Sequence, residues 1–158
     1  MPTAAGSIQL GRWTHVAGVI DRSSATPQML IYLDGVLAAS RSIRPTPAVD
    51  VPDPLRIGSS SYVGMGNGSY DRFDGVIDEV RLWNVARSAA QIAASRNMAI
   101  ATPTTGLVLR LGFDEGAGSA AADGSGNGAN GSIGHLFSST AGAIAGAIAL
   151  PGQTDSYR

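Results

Sequence analysis

Few side chains in this chain can do chemistry, and their types limit what that chemistry is. None of the 158 residues is cysteine or lysine. That removes thiolate nucleophiles, disulfides and zinc ribbons, together with Schiff-base and P-loop lysine chemistry. The two histidines, His15 and His135, are far apart. No G-x-S-x-G elbow accompanies them to hold a serine nucleophile, so they read as a strand residue and a loop residue. The only glutamates, Glu79 and Glu115, fall in separate segments, whereas glycoside hydrolysis needs two carboxylates about 5 to 10 Å apart across one cleft. The residues suit recognition better. Trp13, Trp83, Tyr62 and Tyr70 are rings on which the apolar faces of sugars could stack, and Asn67, Asp71 and Arg72 could direct hydrogen bonds to hydroxyls. The two tryptophans read more readily as packing, whereas Tyr62 and Tyr70 lie in a long polar segment where recognition is commonly placed. Asp123-Gly124-Ser125-Gly126-Asn127-Gly128 partly fits the start of a calcium loop. The bidentate glutamate due at its twelfth position is Gly134 instead, which favours a plain turn.

The elements that must position these residues are short strands. Residues 12–20 are aromatic and β-branched and stop at the polar cluster 21–24, which predicts a strand. Residues 29–33 and 36–40 flank Asp34-Gly35, a favoured pair for a two-residue type I′ turn, which predicts a hairpin. Residues 44–54 hold four of the eight prolines and read as a connection or an edge. A short strand is expected at 55–58, then a 14-residue polar loop at 59–72. Residues 73–83 read as one strand with Val76, Asp78, Val80 and Leu82 on one face and Ile77, Glu79, Arg81 and Trp83 on the other. Asp78 then interrupts an apolar face and needs a partner, because an unpaired buried charge is costly. Ser88-Ala89-Ala90-Gln91 has the form of a capping box opening a short helix to about residue 99. Leu107, Leu109, Leu111 and Phe113 alternate along a further strand, residues 115–134 read as loop, and 143–150 favour a strand with helix as the alternative.

Several of these segments resemble the laminin G-like jelly rolls of the concanavalin A-like group. Trp13 to Ala17, Leu30 to Gly35, Leu55 to Gly58, Phe73 to Asn84 and Ser88-x-x-Gln91-Ile92 are similar, in order and spacing, to that family's closing half. Gly106 to Gly118, Asp123 to Gly128 and Gly146 to Gly152 are similar to its opening half. The halves stand in inverted order, without the middle strands. The resemblance therefore divides the chain into residues 1–100, a C-terminal half-module; 101–106, a linker; and 107–158, an N-terminal half-module. These belong to one sandwich in a permuted chain, or to successive repeats in a segment cut out of phase. The implied fold class is all-β, an antiparallel sandwich with one short helix, either incomplete or circularly permuted. Pairing between 107–113 and 76–83 is open to it in both cases.

The resemblance also implies a structural calcium ion near Asp78, held with oxygens around Asp114 and Glu115. The alternative is that Asp78 pairs with an arginine or caps backbone amides. Glucan-cleaving relatives of the broad fold place two glutamates on one strand, and no E-x-D-x-x-E pattern occurs here. The implied function is non-catalytic recognition of a glycan or a surface protein, at an extracellular or cell-surface location. The alternative is a structural or adhesion repeat with no small ligand. A net charge of −1 argues against nucleic acid. The longest apolar stretch, 141–150, is about half a membrane span, so no membrane insertion is expected, and no signal peptide is visible at the N-terminus. Twenty-one glycines and eight prolines imply frequent turns, and 24 alanines thin the core. An apolar face left uncovered by absent strands predicts self-association.

Overall fold

A computed structural model describes residues 7–23, 25–44, 54–59, 73–133, 138–142 and 146–150. Strands arranged in antiparallel sheets dominate, with one short helix, as an antiparallel β-sandwich protein requires. The chain forms two compact units, one from residues 1–49 and 83–106, the other from 50–82 and 107–158.

In the first unit, β1 (Val16–Asp21), β2 (Gln28–Leu33) and β3 (Val36–Ser42) form a three-stranded antiparallel meander. Asp34 and Gly35 turn the β2–β3 hairpin with φ of 48° and 80°, the left-handed pair a type I′ turn needs. The first strand begins three residues later than Trp13, so that ring sits ahead of the sheet. Val19 and Tyr32 are cross-sheet neighbours on one face, and Ile92 of α1 (Ala89–Ser95) packs on them with Ala17 and Leu30 around it. Burying a side chain such as Ile92 stabilises by about 2 kcal/mol. The helix opens with the capping box: Ser88 Oγ accepts from the Gln91 amide, and Gln91 Oε1 accepts from the Ser88 amide. It ends at Ser95, short of the expected 99. The opposite sheet face carries Val16, Ile20, Met29 and Val36, which are 56, 52, 36 and 70% exposed. Both faces of this sheet are thus apolar, and only one is covered by the helix.

In the second unit, β4 (Gly75–Ile77) pairs with β10 (Gly146–Leu150), which pairs with β9 (Ser138–Ala141). Next, β5 (Val80–Trp83), whose first three residues belong to this unit, pairs with β6 (Leu107–Leu111), and β7 (Ala120–Ala121) with β8 (Gly131–Ser132). Leu109, Leu111, Phe113 and Ala121 are the buried centre, with Ile57, Ile77, Val80 and Ile133 packed on it. One core therefore draws on residues from both sides of 101–106.

Three local expectations need correction. The single strand over 73–83 is two strands in different sheets, because Glu79 adopts φ 50° and breaks the pleat. Period-two alternation then fails across the break: Ile77 and Val80, three apart, both face the core, while Val76 and Leu82 are 37 and 49% exposed. No strand forms over 55–58 beyond a bridge at Ser59, although the Phe73 amide donates to the Gly58 carbonyl at 2.9 Å. The supposed loop 115–134 contains the small β7–β8 hairpin.

Candidate functional site

The break at Glu79 builds a cluster of largely buried charge. Turning through positive φ points the Glu79 carboxylate inward, where it is 9% exposed between Arg81, also 9% exposed, and Arg110, 18% exposed. Arg81 donates through Nε at 3.1 Å and Nη2 at 2.9 Å to Oε2. Arg110 donates through Nε at 3.1 Å to Oε2 and through Nη2 at 2.5 Å to Oε1, a two-pronged fit that only a guanidinium can make. Burial by itself would raise the Glu79 carboxyl, but the Arg110 and Arg81 hydrogen bonds and charges outweigh it and hold the group below its usual range. Arg110 is correspondingly raised, chiefly by its bond to Glu79 and further by the fields of Asp114 and Asp78.

Asp78 and Asp114 are thus neighbours of the same cation, Arg110. Asp78 lies beside the break and is half-buried, whereas Asp114 is exposed. Glu115 is directed elsewhere, accepting from the Ala122 amide at 2.6 Å. Calcium needs six or more converging oxygens. Among the described residues no three carboxylates or imidazoles gather as a metal-holding group. Of the Asp78, Asp114 and Glu115 set, the first two lie in the field of Arg110, whereas Glu115 is engaged by the Ala122 amide, so the structure does not bring all three together. Both glutamates are engaged, Glu79 by two arginines and Glu115 by a backbone amide.

The Asp123–Gly128 sequence turns out to be a hydrogen-bonded staple. Asp123 Oδ1 accepts from the amides of Arg110 at 3.0 Å and Ser125 at 2.8 Å, and Oδ2 from Ser125 Oγ at 2.8 Å and the Ala129 amide at 3.0 Å. These bonds, led by that from the Arg110 amide, pull its carboxyl far below the ordinary range. Its oxygens are filled by protein donors, in keeping with the plain-turn reading of this motif.

A different arrangement stands at the entrance of β1. Trp13 is 42% exposed, contrary to its reading as packing. Its neighbour Arg12 reaches Asp34 at the hairpin tip, Nη2 to Oδ2 at 2.8 Å, with side chains 61 and 38% exposed. Asp34 Oδ1 accepts from the His15 amide at 3.0 Å, a bond that leads in lowering its carboxyl. Arg96 of the helix end donates to the Asp34 carbonyl, which ties the tip to α1. The other tryptophan is half-buried, with the Arg87 guanidinium 4.1 Å above its ring. Tyr62, Asn67, Tyr70, Asp71 and Arg72 lie outside the described residues, as does His135.

A laminin G-type family model, described as the Concanavalin A-like lectin/glucanases superfamily, matches residues 3–93. The chain belongs to that superfamily. No curated protein and no solved structure matches it. Alternation gives Glu79 a face of its strand and does not show the Glu79–Arg81–Arg110 triad. The available signal was an arginine placed at the polar position of a leucine strand, opposite an Asp-Glu pair that interrupts another.

Proposed function

We propose that this chain is a non-catalytic module that recognises carbohydrate or another surface ligand in an exported protein. The observation that carries the reading is Trp13, a large ring 42% exposed just ahead of β1, next in sequence to an exposed arginine–carboxylate pair. An aromatic plane gives a sugar's C–H face a platform, and planar charged groups nearby order its hydroxyls. Membership of a lectin and glucanase superfamily supports the ligand class, and the occupied state of both glutamates supports binding over catalysis. No helix among the described residues is long and apolar enough to cross a membrane.

The test is intrinsic fluorescence and calorimetric titration with a panel of soluble polysaccharides, in chelator and again in calcium. Binding that quenches tryptophan emission, is lost in Trp13→Ala and survives in Trp83→Phe is the expected result. Tyr62→Ala and Tyr70→Ala test whether the 59–72 segment contributes to the same ligand. Binding that Trp13→Ala leaves unchanged, or no binding across the panel, overturns the reading. A calcium-dependent rise of the melting midpoint that disappears in Asp78→Ala would assign the ion to the Asp78–Asp114 neighbourhood.

The second reading, an adhesion or spacer repeat without a small ligand, is favoured by the bare apolar face of β1–β3. It expects concentration-dependent self-association that Val16→Ser with Ile20→Thr abolishes without loss of fold.

A further inference from the structure

Strand β6 lies at the heart of the second unit, yet among the described residues it has a partner strand on one side only, β5. The groups of Val108 and Arg110 point to the other side, where an open ladder would invite another strand. Those positions are filled by the Asp123–Gly128 loop. The Gly124 amide donates to the Arg110 carbonyl at 2.7 Å, and Asp123 Oδ1 accepts from the Arg110 amide. Leu111 and Asp123 form a single antiparallel bridge, after which side chains take over from backbone. Ser125 Oγ, whose proton goes chiefly to Asp123 Oδ2, lies 3.2 Å from the Val108 carbonyl, and Asn127 Nδ2 donates to the carbonyls of Leu107 at 3.1 Å and Val108 at 3.2 Å. Ser125 is 5% exposed and is the one buried polar residue among the described side chains. Asp123 holds the loop in this shape through its bonds to Ser125 and Ala129, and its amide in turn donates to Asn130 Oδ1.

We propose that this loop is an edge guard: its side chains occupy the hydrogen-bonding positions of β6 that an extended segment from a second copy of this chain would otherwise take. The alternation of glycine with Asp, Ser and Asn serves the purpose. Gly124 approaches Arg110 closely enough that a Cβ there would lie 3.1 Å from its guanidinium, and Gly126 and Gly128 adopt φ of 89° and 73°. Each polar side chain between them is thereby returned to the same edge. The leucine-rich strand beneath carries alternating buried positions and would pair readily once uncovered.

The test compares the parent with Ser125→Ala/Asn127→Ala, which uncovers the carbonyls of Leu107 and Val108 and leaves the Asp123 bonds to Arg110 in place. Sedimentation and light scattering over a concentration series are the first readout. A synthetic Gly106–Gly112 peptide, added to each protein, is the second. The double variant is expected to self-associate about tenfold more tightly than the parent, the effect of one or two backbone groups released to a new partner. It is also expected to bind the peptide, which the parent ignores. A variant that melts cooperatively, stays in the parent's oligomeric state and ignores the peptide overturns the proposal. Should the double variant not fold, Asn127→Ala alone is used with the same two readouts and the same criteria.

Discussion

Replacing Glu79 by glutamine is the sharpest test of the charged cluster, because it changes one charge and almost no volume. The carboxylate accepts four N–H bonds from two guanidiniums that are themselves largely withdrawn from water. Glutamine keeps one acceptor oxygen and turns an amide donor toward the arginines, leaving two positive groups facing each other. Removing one partner of a buried pair costs about 3 to 5 kcal/mol. The fields of Asp78 and Asp114 still act on Arg110, so the lower end, about 3 kcal/mol, is expected. That is roughly a hundredfold in the folding equilibrium and about 6 to 12 °C in melting midpoint for a chain of this size. Urea unfolding followed by tryptophan fluorescence measures it, and a cycle with Arg110→Gln should give a coupling of about 2 kcal/mol. A loss below about 1 kcal/mol, the range of exposed ion pairs, would refute the reading of Glu79, Arg81 and Arg110 as a buried, mutually dependent cluster.

Acid is expected to unfold the protein through its depressed carboxyls. Glu79, Asp123 and Asp34 all have folded values below their unfolded ones, which are about 4. Their stabilisation is complete above pH about 5 and is lost as pH falls below about 4 toward the folded values. A melting midpoint that stays flat between pH 5 and pH 3 would contradict this, and Asp123→Asn should flatten part of the slope. Gly35→Ala should detach the hairpin from α1, since at φ 80° its Cβ would meet Ala93 Cα and Cβ at 3.0 Å and Arg96 Nη1 at 3.2 Å. A cost of about 2 to 4 kcal/mol follows from backbone strain and overpacking, and a urea midpoint unchanged from the parent would show that the contact is not needed.

Sequence periodicity and turn chemistry were sufficient for the local elements whose signals are complete within a few residues. The Asp34-Gly35 hairpin needs only two residues able to take positive φ, the Ser88–Gln91 capping box needs only its own four residues, and the leucines of β6 alternate without interruption. The all-β class and the superfamily were legible for the same reason, because the segments that carry the resemblance are themselves short strands and turns. Tertiary structure decided the rest. Nothing local marks Glu79 as a left-handed residue, since its conformation is held by Arg110, 31 positions away. Once it breaks the strand, the faces assigned to residues 76–83 are reset. Nothing local shows that Asp123, Ser125 and Asn127 serve the edge of β6, because their partners lie 13 to 20 positions upstream. Trp13 could be told from a core tryptophan only by where the sheet begins. In each case the missing information is the identity of a distant partner, which short-range spacing does not encode.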